Sequence, residues 1–118
     1  MADPRIRTLK IKTGVVRRLA KEKLTYEKEA DQQRTRIEKY QTEGKDEYDI
    51  RKQEEVLQES VMMVPDCQRR LAKAYEELQT ILNSETDLKE SEDYQTALTT
   101  LEEAKAQLPK PEEGAQMC

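Results

Sequence analysis

The sequence predicts an all-α fold, an elongated antiparallel three-helix bundle of coiled-coil-like rod shape with its second helix bent at Pro65. Three observations carry that expectation. Apolar residues recur at alternating intervals of three and four over stretches far longer than a strand. The 118 residues include only 3 Gly and 4 Pro, too few turn signals for a strand-rich fold. Apolar residues make up 35% against 39% charged, with no Phe, Trp or His, so the chain is able to fill a thin core and not a thick one. One domain is expected over residues 1–108, followed by a disordered tail at 109–118.

The first helix is expected at about residues 4–42. Asp3-Pro4 pairs a capping residue with a proline at the first helical position, and Thr13-Gly14 is a competing start. The 3-4 alternation settles at Val16, Leu19, Lys23, Tyr26, Ala30, Gln33, Ile37 and Tyr40, a heptad seam with polar interruptions at Lys23 and Gln33. Leu9 lies one heptad before Val16, which favours the earlier start and places Gly14 on the outward row. The segment TEGKDE (42–47) then supplies Gly44 for the left-handed residue that closes a helix and Asp46 to cap the next. So short a connection makes the first two helices antiparallel neighbours.

The second helix is expected at 47–82. Its main row is Ile50, Leu57, Val64, Leu71 and Leu78, with a companion row of Gln53, Ser60, Cys67, Ala74 and Ile81. A third row, Val61, Gln68, Tyr75 and Leu82, widens the stripe enough to touch two helices. The heptad passes through Pro65 without a slip. Ending one helix there would leave Val64 as the cap of the next, and valine is among the poorest caps, so one bent helix is the better reading. The third helix is expected at 86–107, after a polar turn in which Ser84 and Asp87 have capping-box spacing. Its seam reads Ser91, Tyr94, Leu98, Leu101, Lys105 and Leu108, and Pro109 and Pro111 stop it.

The composition says more about what is absent. There is no histidine to act as a general base, no glycine-rich phosphate loop, and adjacent acids such as Glu54-Glu55 point about 100° apart on a helix, so neither catalysis nor a cofactor is expected. Cys67 and Cys118 lack the company of a metal or redox motif, and Cys67 reads as a small buried hydrophobe. No apolar run approaches a membrane span or the core of a signal peptide. The net charge of −4 hides a gradient: residues 1–24 hold eight Lys or Arg against two acids, and residues 84–118 three Lys against nine acids. That asymmetry either steers a charged partner or is a solvated surface where antiparallel ends lie side by side.

Two surface features stand out. Arg17, Lys21, Leu24 and Lys28 fall on one outward stripe of the first helix, which either receives an acidic partner or is a plain solvated face. Met62 stands on the row opposite the seam of the second helix, next to Met63; the pair either contacts a partner or covers the bend at Pro65.

The segments KIKTGVVRRL (10–19), YEKEA (26–30), YDIRKQEEVLQES (48–60) and MMVPDCQRRL (62–71), in this order, resemble the tubulin-binding cofactor A family. MMVPDCQRRL is the most specific of them, because a proline inside a helical heptad is rare. The resemblance covers roughly residues 1–105. It implies a monomeric three-helix bundle, cytoplasmic and cytoskeleton-associated, that captures β-tubulin after chaperonin release and holds it on the route to the α/β heterodimer. Nucleotide, metal and other cofactors are not implied, and neither nucleic acid nor membrane is an expected partner. The family suggests contact through helical faces and supplies no residue map. For an acidic client with apolar assembly surfaces, the candidates are Arg17, Lys21 and Lys28 for the field and Leu24 and Met62, beside Met63, as anchors. Arg69 and Arg70 join them as charged neighbours of the bend.

Two other readings stay open. One is a structural homo-oligomeric coiled-coil scaffold in which a seam residue such as Lys23 or Gln33 selects the oligomer. The other is a basic surface that binds nucleic acid or membrane, which the absence of aromatics among the basic residues and the overall acidity disfavour.

Overall fold

A computed structural model describes residues 3–109. Three α-helices account for nearly all of them: α1 (Pro4–Thr42), α2 (Glu47–Ser84) and α3 (Glu92–Ala104). The molecule is a rod with principal extents of 64 × 36 × 17 Å. The expected tail lies outside the described residues apart from Pro109.

Local chemistry sets each boundary. Asp3 caps α1, its carboxylate accepting from Arg5 N at 2.9 Å, and Pro4 occupies the first turn where no N–H is needed. At the other end Gly44 takes φ +70°, a conformation that a Cβ disfavours, and Lys45 N donates back to Tyr40 O at 3.0 Å. Asp46 then caps α2 through Tyr48 N. The α2 helix runs on through Pro65, as the unbroken heptad predicted.

Of the expected seam of α1, Leu9, Val16, Leu19, Lys23, Ala30 and Gln33 are buried, while Tyr26, Ile37 and Tyr40 are only half-buried where two helices alone meet, and Gly14 is exposed. On α2 the buried set is Ser60, Cys67, Leu71, Ala74, Leu78 and Leu82. Lys12 Nζ and Glu77 Oε2, 3.2 Å apart, tie the two helices on the surface.

The third helix corrects the sequence reading in two ways. It begins at Glu92 and not at residue 86, capped by Ser91 Oγ, which accepts from Tyr94 N at 3.1 Å. The Ser84–Asp87 capping box does not form, because its members are engaged elsewhere. Ser84 Oγ donates back to Thr80 O at 2.9 Å, while Glu85 and Asp87 pair with the Arg5 guanidinium at 2.6 and 2.9 Å, leaving Thr86–Leu88 as a single 3₁₀ turn. The buried face is Tyr94, Ala97, Thr100, Leu101 and Ala104, whereas Leu98 is 42% exposed and Lys105 faces solvent. Small residues bring α3 close to its neighbours, and the larger Leu98 drew the expected seam one position too far.

The wide stripe of α2 predicts contact with both other helices; α2 does touch both, but α3 rests mainly on α1 and less on α2. Lys10–Asp93, Arg17–Thr100 and Lys23–Gln107 mark the path of α3 and its 3₁₀ extension along α1, running parallel to it. The link to α2 is at its end, where Tyr94 Oη donates to Leu82 O at 2.7 Å. The rod therefore has two parts. A three-helix base holds both ends of the described bundle, and beyond Lys23, among the described residues, an arm at 24–64 consists of α1, α2 and the turn between them.

Candidate partner-binding surface

The base holds the continuous core: Leu9, Val16, Leu19, Leu71, Ala74, Leu78, Leu82, Tyr94, Ala97, Leu101 and Ala104. In the arm, Ala30 is the one fully buried apolar side chain among the described residues, joined by Gln33 and Ser60. Gln33 is satisfied across the pair, its Nε2 donating to Gln53 O at 3.1 Å and to Gln53 Oε1 at 2.5 Å. Lys23 sits at the junction with its side chain 9% exposed, and Nζ reaches Gln107 Oε1 and Glu27 Oε1, each at 3.1 Å. Both polar interruptions of the seam are thus answered within the chain.

The candidate surface residues fall into three groups. Arg17, Lys21 and Arg70 line one groove of about 670 Å3, together with Arg18, Glu22 and Tyr26, so the structure brings part of the basic stripe of α1 against an α2 residue five positions past Pro65. Lys28 and Leu24 continue the stripe along the arm; Leu24 is 47% exposed. Among the described residues, Arg17, Lys21 and Lys28 enter no ion pair, whereas Lys10, Lys12 and Lys23 on the same helix do. Glu22 and Glu29 line the same groove, so its positive charge is partly offset there.

The second group is Met62 and Arg69, one heptad apart on the outer row of α2. Among the described residues Met62 is the most exposed large apolar side chain, at 64%, while Met63 is half-buried. The third feature is Asp66, which the sequence reading overlooked: it pairs with Arg69 at 3.3 Å and Arg70 at 3.2 Å. Those two arginines are partly neutralised by a neighbour three and four positions earlier, a spacing legible in the sequence. Also overlooked were the exposed Val56 and Tyr48 of the arm, the latter with Lys52 Nζ 5.4 Å from its ring centre.

No catalytic constellation accompanies this surface. Burial pushes the Cys67 thiol up from its ordinary pKa, with Glu22 and Asp66 adding to the effect, so it stays a protonated, enclosed side chain. Among the described residues, no group of His, Cys, Asp and Glu is placed to hold a metal ion, and no helix is long and apolar enough to cross a membrane.

Comparison with known proteins bears on the whole of this architecture. The chain is similar to tubulin-specific chaperone A of Homo sapiens, 60% identical over 105 residues that cover 89% of this chain and 97% of the relative. A solved structure of human tubulin chaperone cofactor A matches with a TM-score of 0.75 at 59% identity, covering 86% of this chain and 99% of that one. The crystal structure of tubulin folding cofactor A from Arabidopsis thaliana matches with a TM-score of 0.79 at 36% identity, over 87% and 97%. Residues 4–101 match the family model described as Tubulin binding cofactor A, and the chain belongs to that family.

Proposed function

We propose that the chain is a tubulin-folding chaperone that captures β-tubulin after its release from the chaperonin and holds it, as a cytoplasmic monomer, for assembly into the α/β heterodimer. The observation that carries this reading is the family match over residues 4–101, which spans base and arm alike. The surface supports it. A client rich in acidic and apolar surface calls for a positive field to speed encounter and a few apolar anchors to slow departure. Arg17, Lys21 and Lys28 supply the first, and Leu24 and Met62, beside Met63, the second, with Arg70 closing the basic groove. Because Lys23 and Gln33 are satisfied internally, neither requires a second copy of the chain, which weighs against the oligomeric scaffold.

The test is a biosensor measurement with purified β-tubulin. Reversing the charge at Arg17, Lys21 and Lys28 together is expected to slow association and flatten its salt dependence, and Leu24→Ser with Met62→Ser to speed dissociation. Melting temperatures should stay unchanged for Leu24→Ser and Met62→Ser, which face solvent, and should fall slightly for the triple reversal, because Arg17 also donates to the buried Thr100 at 3.1 Å. Equal binding by every variant would remove these residues from the contact, and no binding by the parent chain would overturn the function.

A further inference from the structure

The stripe that receives α3 does not end where α3 ends. On α2 the row facing the base continues from Leu82 and Tyr75 through Gln68 to Val61, and on α1 the face that holds Gln107 at Lys23 continues to Glu27, Ala30, Asp31 and Arg34. In the arm these two faces, with Val64 and Pro65, line an open groove of about 520 Å3. Its floor is apolar, formed by Ala30, Val61 and Val64, with the exposed Pro65 on the α2 wall beside them. Its rim on α1 is charged, with Glu27 paired to Lys23 at 3.1 Å and Asp31 to Arg34 at 2.9 Å. Val61 and Val64 are only half-buried, although Val64 shares its row with Leu71 and Leu78, which are fully closed in the base, and the row of Val61 ends at the buried Leu82.

We propose that this groove seats a short amphipathic helix of the bound tubulin subunit, which takes in the arm the place that α3 takes in the base. The proposal rests on the chaperone reading above and adds the site and the shape of the docked element. Continuity with the existing α3 interface is the reason for choosing a helix: the same face of α1 that carries Arg17–Thr100 and Lys23–Gln107 already holds one a few turns away. An apolar floor with a charged rim is the composition of a recognition groove. From Glu27 to Arg34 the groove runs roughly 10 Å along α1, so about two turns of helix fill it.

Methyl NMR of the full chain titrated with purified β-tubulin tests this. The methyl signals of Ala30, Val61 and Val64 are expected to shift or broaden, ahead of those of Ala97 and Leu101 in the base. Val61→Lys should weaken binding by about tenfold or more, the loss typical of a central anchor, while Leu98→Lys on the exposed side of α3 leaves it unchanged. Should Val61→Lys unfold the arm, Pro65→Lys at an exposed position of the same wall serves, with the same loss expected. Binding with shifts confined to Leu24 and Met62 would overturn the groove and leave the chaperone reading standing. Shifts of the groove methyls that follow chain concentration without tubulin would assign it to a second copy. Shifts produced on removing the residues after Pro109 would assign it to the chain's own C-terminal segment. Either of these overturns the proposal, and absence of any complex contradicts both it and the function on which it rests.

Discussion

The base and the arm are built from the same two helices, yet one is closed and the other open. In the base, α3 completes a core in which Leu9, Val16, Leu71, Leu78 and Ala97 are fully removed from water. In the arm the equivalent rows hold Leu57, Val61 and Val64, all half-buried, and the buried seam is filled by Ala30, Gln33 and Ser60. The difference is one of length: α1 and α2 have 39 and 38 residues, α3 has 13. Stability is concentrated where three helices meet, and the part with least burial keeps apolar surface in reserve.

The largest effect that sharpens this contrast comes from matched truncations. Leu71→Ala in the base should cost about 2–5 kcal/mol, because a fully buried leucine leaves a cavity that a thin core refills poorly. Leu57→Ala in the arm should cost only about 1 kcal/mol, since the side chain is half in water already. Urea titration of the two variants measures both, and equal losses would erase the distinction between base and arm.

The next effect concerns Pro65, where the two parts join. The proline lacks an N–H, so Val61 O loses its helical partner, and Pro65→Ala should restore that bond and raise stability by about 1–3 kcal/mol. A loss of stability in the same titration would mean that the proline's fixed geometry is needed to hold the arm to the base.

Smallest is the clamp at the start of α1. The side-chain hydrogen bond from Arg5, and then the bond from its backbone N–H, hold the Asp3 carboxyl below its ordinary value of 3.8. A depressed carboxylate stabilises the fold above its unfolded pKa, and that contribution is lost as pH falls through the folded value. Melting temperature should therefore fall below about pH 4 slightly less in Asp3→Asn than in the parent. The site is open to solvent, so the difference is small and salt-sensitive.

Much of this architecture is legible in the sequence. The heptad spacing puts Val16, Leu19, Lys23, Ala30 and Gln33 on one buried face, and the passage of that period through Pro65 identifies a continuous α2, because both follow from local geometry. The start of α3 is not legible in the same way. Capping groups at Ser84 and Asp87 are local, but the competitor for Asp87 is Arg5, 82 residues away. Leu98 misleads for a related reason, since side-chain size carries no information on how closely two helices approach. The open groove depends on where α3 stops relative to α1, which only the tertiary packing reveals: Val61 reads as part of a stripe for a third helix, and the third helix is absent opposite it.

Native-state amide hydrogen exchange, with and without purified β-tubulin, tests most directly the claim that the base holds the fold while the arm, with the basic residues at its junction, holds the client. In the free chain, amides around residues 30–37 and 53–64 should exchange at least about tenfold faster than those around Leu71–Leu82 and Leu9–Leu19, reflecting local opening of the two-helix arm. On binding, protection should rise chiefly in the arm. Uniform protection in the free chain, or a gain confined to α3 and the base, would contradict the account.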